Sequence, residues 1–292
     1  MDTRDNSKLP ILVTGGHRSG TSWVGRTLAC AEDVEFIWEP FSLSYQPPLM
    51  LPVPPCWFYS VTSALEAETK VGLANVLSYK YEVLPRLKGL RSFRQIGRLI
   101  RDKRAFDAAR KRQPRPLLKD PIALFSAPWI QDTFKARVVV TIRPPAAFCE
   151  SLIRGNTLHD FSHFLSQKEL METSLERYAG DISRAVRGAL DVVDQSILLW
   201  NIIYAFVRAQ KELGRPWLFV CHEDLVKSPR DKFKELYSDL DLIWGAEVEL
   251  HLNRGRKVNI HKWRKRLSSE TINRIRQGTS ELAEYYYGKG AW

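Results

Sequence analysis

The stretch ILVTGGHRSGTSWVGRTLA, residues 11–29, constrains this chain more than any other. A short apolar run leads into paired glycines, and a helix-like pattern resumes a few positions later. That order is a strand, a tight loop and a helix, the repeating unit of a parallel α/β sheet. Gly15, Gly20 and Ser22 have the spacing of the phosphate-loop pattern GxxxxGK[ST]. Backbone N–H groups of such a loop, with the N-terminus of the following helix, make an anion cradle. The plain alternative is a tight glycine turn with no ligand. Thr21 stands where the pattern has lysine, and the positive charge sits on Arg18, inside the loop. A nucleoside triphosphatase would lose its main β/γ-phosphate contact by that exchange.

Five apolar runs read as buried strands: Pro10–Thr14, Val34–Trp38, Leu117–Leu118, Arg137–Ile142 and Trp217–Cys221. Helical patterns lie between them, so the expected fold is α/β, a P-loop-type parallel sheet of about five strands flanked by helices. Ser63 and Glu66 have capping-box spacing ahead of a stripe of Leu73, Val76, Leu77, Tyr81 and Leu84. Further helices are expected near Leu190–Leu213, after Ser228-Pro229, and from Ser268 to about Gly288. Prolines crowd residues 40 to 55 and predict an extended loop. No linker is visible. The expectation is a single domain over residues 1–292, with a proline-rich loop at 40–60, a basic helical insertion at 86–115 and a basic loop at 253–266.

The formal charge of +11 is localised. Arg86–Arg115 holds twelve Lys/Arg against Asp102 and Asp107, a net of +10; Arg254–Arg266 holds seven and no acid, which leaves −6 for the remainder. Such patches point to an anionic ligand or surface. The first is a candidate for peripheral contact with an anionic membrane or polysaccharide, against the plainer reading of a solvated charged face. RNA-binding signatures and helix-turn-helix patterns are not evident, so no nucleic-acid partner is expected. The polar start MDTRDNSKLP predicts no signal peptide, and no apolar run nears the roughly 20 residues of a membrane span. Cys30, Cys56, Cys149 and Cys221 are far apart and suit reduced thiols. The expected location is the cytoplasm, with a peripheral place at the membrane as an extension.

The fourth strand adds an independent constraint. A triphosphatase commonly ends such a strand in an aspartate that helps hold magnesium; here it ends in Arg143, which repels a metal and attracts an anion. No metal site is expected.

HRSGTSW at 17–23 resembles the 5′-phosphosulfate loop of sulfotransferases that use 3′-phosphoadenosine-5′-phosphosulfate (PAPS), and Arg143 with Ser151 resembles their 3′-phosphate motif. FIWEPF at 36–41 looks like the strand-end Glu-Pro of the carbohydrate-type enzymes, and LLKDP at 117–121 like the family's lysine-bearing third strand. HEDLVKSP at 222–229 and WRKRLSSE at 263–270 are similar to later segments of bacterial members. The departures are Pro144 for a polar residue, Ala147 for an acidic one, His222 for a tyrosine, and no histidine after Lys119.

The resemblance implies metal-independent in-line sulfuryl transfer from PAPS to a hydroxyl on a carbohydrate or glycolipid. It assigns the 5′-phosphosulfate to Arg18, Ser19, Gly20, Thr21 and Ser22, and the 3′-phosphate to Arg143 and Ser151. Arg256, Lys257 and Arg264 are candidates to close over that phosphate. Trp23 would stack on adenine, or else pack the start of its helix. Lys119 would neutralise charge on the transferring group. Glu39 is the favoured base and Asp120 its rival; the plain alternatives are a helix cap or a salt bridge. Pro40 biases Glu39 toward extended backbone. Phe41, Tyr45, Trp57, Phe58 and Tyr59 would suit a sugar, or else pack a lid. His159 and His163 read as solvated or capping.

Overall fold

A computed structural model of the chain describes residues 8–155, 157–254, 260–288 and 292. In chain order its elements are β1 (Ile11–Gly15), α1 (Thr21–Leu28), β2 (Val34–Trp38), α2 (Glu66–Leu77), α3 (Leu84–Leu87), α4 (Phe93–Arg112), β3 (Arg115–Lys119), α5 (Ala127–Phe134) and β4 (Arg137–Ile142). Then come α6 (Pro145–Gly155), the short α7 (Ser162–Leu165) and α8 (Lys168–Leu170), α9 (Ala179–Val186), α10 (Val192–Glu212) and β5 (Leu218–Cys221). The chain continues through α11 (His222–Lys227), α12 (Pro229–Asp239), α13 (Ala246–Arg254), α14 (Trp263–Arg266) and α15 (Ser269–Tyr287).

The strands form one sheet in the order β2-β3-β1-β4-β5. Val13 and Trp38 both lie opposite Lys119 in parallel register. Every residue of β1 and β3 is buried, as a strand covered on both faces requires. The five strands fall where the apolar runs predict them. The chain itself divides into two compact units: Met1–Thr14, Thr21–Val139 and Arg230–Arg254 form the first, and Gly15–Gly20, Val140–Pro229 and Gly255–Trp292 the second. No linker marks them, because neither is a continuous segment.

In the first unit the proline-rich loop is tied down by a residue counted above among its basic charges. Arg86 is buried and donates to the carbonyls of Pro48 (2.7 Å) and Leu49 (2.7 Å). Arg115, also buried, donates to Leu9 and Leu240 carbonyls at 2.6 Å each. Both are structural cations, outside any solvated face. The capping box does not form: α2 is preceded by Leu65 with no side-chain cap, and Glu66 accepts a hydrogen bond from Trp129 instead. α2 also ends at Leu77, so Leu84, read as part of its stripe, is exposed. Ser92 caps α4 by accepting from the Gln95 N–H.

In the second unit α10 packs on α6 and α15, burying Leu199, Trp200, Ile203 and Tyr204. Among the described residues it is the one helix long and apolar enough to cross a membrane, and more than half of that apolar stretch is buried within the chain. Asp191 and Ser268 cap α10 and α15 through backbone N–H groups. The segment expected as an irregular loop at 253–266 contains the end of α13 and all of α14, whose Trp263 packs against Ala146 and Ala147 of α6.

Candidate active site

Two glycines shape the loop after β1. Gly15 has φ +136°, and a Cβ there would lie 2.6 Å from the Thr141 carbonyl oxygen. Gly20 has φ +100°, and its Cβ would meet the His222 ring at 2.6 Å. Only glycine fits both demands at either place. Ser19 is fully buried: its N–H donates to Gly16 O at 3.1 Å and its Oγ lies 2.5 Å from Thr141 Oγ1. Its Oγ also donates to Gly16 O. The Ser19 N–H and hydroxyl are thus engaged with Gly16 and with Thr141 of β4. Thr21, buried, and Ser22, half-buried, open α1 directly after the loop, where helical N–H groups lack intrahelical partners.

Arg18 takes left-handed backbone at φ +68°, uncommon for a non-glycine residue. Its Nε donates to Ser151 Oγ at 3.0 Å, and its carbonyl accepts from the Arg143 guanidinium. Arg143 is fixed in turn by α10: its N–H donates to Tyr204 Oη at 3.0 Å, and its carbonyl accepts from Trp200 Nε1 at 2.9 Å. Arg143 Nε is buried and has no hydrogen-bond partner among the described residues. Burial lowers its guanidinium from the ordinary range, with nearby Glu223 opposing, yet arginine keeps its charge. Arg18, Arg143 and Ser151 thus form one bonded group. Sequence reasoning missed Thr141, Trp200 and Tyr204, which registered only as strand and helix periodicity.

Within the first unit, Lys119 and Glu39 are brought together. Lys119 is 2% exposed, and its Nζ donates to Glu39 Oε1 and sits 3.7 Å from the Trp38 ring centroid. The Glu39 N–H donates to Lys119 O at 2.9 Å, and its carbonyl accepts from Ser42 at 3.1 Å. These tertiary bonds override the preference set by Pro40: Glu39 lies at φ +42°, not in extended backbone. Asp120 is fully buried and caps the turn Pro121–Ser126. It accepts from the N–H groups of Phe41 (2.7 Å), Ile122 (3.0 Å) and Ala123 (3.3 Å). Burial pushes its carboxyl up to about 7 against those bonds. The helix-cap alternative is thus realised at Asp120.

Trp23 meets Phe233 edge-on at 5.3 Å, so a packing role is realised for its half-buried ring. Phe41, Phe58 and Tyr59 are buried, which realises the packing alternative for these three; Tyr45 and Trp57 are half-buried. His159 is buried against Phe164, not solvated. Arg264 lines a cavity of about 360 Å³ in the second unit with Pro144, Glu223, Asp224, Lys227 and Trp263. Arg256 and Lys257 lie outside the described residues.

A parallel α/β sheet whose first strand opens into a glycine-bounded loop and then a helix is a P-loop-like fold. The sulfotransferase family model matches residues 10–246. The chain belongs to the sulfotransferase family and is an enzyme of sulfuryl transfer. Among solved structures, the sulfotransferase domain from the Synechococcus PCC 7002 olefin synthase is 16% identical with a TM-score of 0.46, over 98% of this chain and 96% of that one. The sulfotransferase domain from the curacin biosynthetic pathway is 12% identical with a TM-score of 0.47, over 96% and 98%. A sulfotransferase from Alicyclobacillus acidocaldarius is 15% identical with a TM-score of 0.46, over 95% of each. No curated protein matches the chain.

Proposed function

We propose that the chain transfers the sulfuryl group of PAPS to a hydroxyl on a carbohydrate or glycolipid. The observation that supports the donor most is the bonded group of Arg18, Ser151 and Arg143, in which two anion motifs distant in sequence meet. The buried, unpartnered Arg143 Nε is a donor suited to an anion. In this reading Arg143, Ser151 and Arg264, with Arg256 and Lys257, hold the 3′-phosphate. Arg18, the amides of Gly20–Ser22 and the Ser22 hydroxyl hold the 5′-phosphosulfate, and Trp23 flanks the adenine.

When bound, PAPS supplies an activated sulfur. The acceptor oxygen bonds to that sulfur as its bond to the 5′-phosphate oxygen breaks, and the acceptor proton passes to Glu39. Protonation neutralises the carboxylate partner of Lys119. The Lys119 charge is then released as negative charge grows on the leaving phosphate, and no metal is called for. The burial of Phe41, Phe58 and Tyr59 leaves Tyr45 and Trp57 as the loop aromatics for an acceptor. All four cysteines are free thiols, which agrees with a cytoplasmic setting. The basic segment 86–115 adds to this reading a peripheral contact with anionic membrane or polysaccharide.

Thermal unfolding with adenosine 3′,5′-bisphosphate, compared with ATP plus magnesium, tests the donor. At 100 times its dissociation constant the bisphosphate should stabilise by about 2.7 kcal/mol. A shift with Mg·ATP and none with the bisphosphate would overturn PAPS as the donor.

A further inference from the structure

The anion chemistry leaves unused a face of the basic arm that follows residue 83. From Val83 to Arg101 the chain carries no acidic residue. α4 buries Leu99, Asp102, Phe106 and Ala109 along one stripe. Phe93, Ile96 and Ile100, spaced i, i+3 and i+7, form a second row outside that stripe and are exposed, Phe93 at 91%, Ile96 at 39% and Ile100 at 46%. Leu84 and Leu87 of α3 are exposed in the same arm, Leu84 at 78%. Single exposed apolar residues need no explanation, but a helical row of them does.

The cations of the arm divide into two sets. Arg98 donates to Gln46 O, Arg101 pairs with Asp102, Lys103 with Asp107 and Arg112 with Glu35. Lys88, Arg91, Arg94, Arg104, Arg110 and Lys111 are exposed and make no ion pair among the described residues. Arg104 and Lys111 continue the helical row of Ile100, and Arg94 flanks Phe93. The result is an apolar strip bordered by uncompensated positive charge.

We propose that this arm lies on an anionic bilayer surface, with Phe93, Ile96, Ile100, Leu84 and Leu87 entering the headgroup boundary and the six cations facing lipid phosphates. This specifies the peripheral-contact part of the proposed function and rests on it. The mixture of groups selects the partner. A polyanionic polysaccharide satisfies the cations but leaves Phe93 and Leu84 in water, whereas a bilayer takes both. An enzyme held this way would meet a glycolipid acceptor in the surface that carries it.

The test is flotation of the full chain with phosphatidylcholine vesicles, with and without phosphatidylglycerol. Binding is expected only with the anionic lipid, and it should fall with added salt. Two double variants, Phe93→Ser with Ile100→Ser and Arg94→Glu with Arg104→Glu, should each weaken it about tenfold or more. Adenosine 3′,5′-bisphosphate binding should be unchanged in both, which shows that each is folded. Vesicle binding that survives both variants would overturn this face while leaving peripheral contact standing. A wild-type chain that binds heparin but no vesicle would overturn the membrane and leave a polysaccharide. Self-association abolished by Phe93→Ser with Ile100→Ser, without vesicle binding, would assign the strip to a second copy.

Discussion

Arg18 Nε and Ser151 Oγ are 3.0 Å apart and 133 positions distant in sequence. The arginine belongs to the glycine loop and the serine to the second turn of α6, so one hydrogen bond joins two segments far apart in sequence. Ser151→Ala should weaken adenosine 3′,5′-bisphosphate about tenfold, the scale of a lost bond to a charged group. Calorimetry should show adenosine 5′-phosphate, which lacks the 3′ group, binding as before.

Gly20→Ala and Gly15→Ala should each lower stability by about 1–3 kcal/mol and abolish nucleotide binding, because positive φ and a 2.6 Å contact coincide at both sites. Gly97→Ala, inside α4 with nothing within 4 Å of the added carbon, should stabilise by about 1 kcal/mol. Denaturant titration of the three variants separates loop geometry from general glycine effects.

The two carboxylates at the strand ends should respond differently. Glu39→Gln is expected to retain nucleotide binding and to lower kcat by about 10²-fold or more. Asp120→Ala strands three buried N–H donors and should cost about 2–4 kcal/mol of stability. An Asp120→Ala enzyme with unchanged Tm and no turnover would return the role of base to Asp120.

Burial lowers the His159 imidazole from 6.5 to about 3. The folded chain keeps it neutral while the unfolded chain protonates it near 6.5, so the unfolded state binds more protons between those values. Stability should therefore fall as pH drops through that window, by about 1.4 kcal/mol per pH unit from this residue. Burial lowers His17 too, with the same sign. Urea unfolding at pH 7 and pH 5 should show a smaller difference for His159→Phe.

Glu150 is nearly buried beside Ser151 and accepts from Arg154 at 3.1 Å and from Arg266 at 2.9 Å. Arg266 and Trp263 bracket Arg264 and hold α14 on α6. Loss of negative charge near Arg143 would by itself favour an anion, whereas loss of the clamp would disfavour it. Glu150→Gln should weaken the bisphosphate, and a tighter complex would show that only charge matters. Ala147→Glu should lower Tm by placing a carboxylate against Trp263.

The glycine loop and the five strands were legible because short-range rules govern them. Short continuous apolar runs mark buried strands, and glycine spacing marks the tight turn. The errors fall where a side chain answers to a partner far along the chain. The Ser63–Glu66 capping box yielded to Trp129, which holds the Glu66 carboxylate. The Pro40 bias on Glu39 yielded to bonds with Lys119 and Ser42.

By itself the sequence determined a glycine loop between strand and helix, with Thr21 in the lysine position of the phosphate-loop pattern and Arg18 inside the loop, in a parallel α/β fold. Spacing along the backbone is enough for that, and the motifs around it carry the resemblance to sulfotransferases. Only the tertiary structure decided which charges are available for chemistry. Arg86, Arg115 and Asp120 look like site or surface residues in sequence, yet they satisfy buried backbone groups. Arg143 keeps an unpartnered donor, and Lys119 keeps Glu39. The reason is physical: a buried charge must find partners, and the fold decides which partners are within reach.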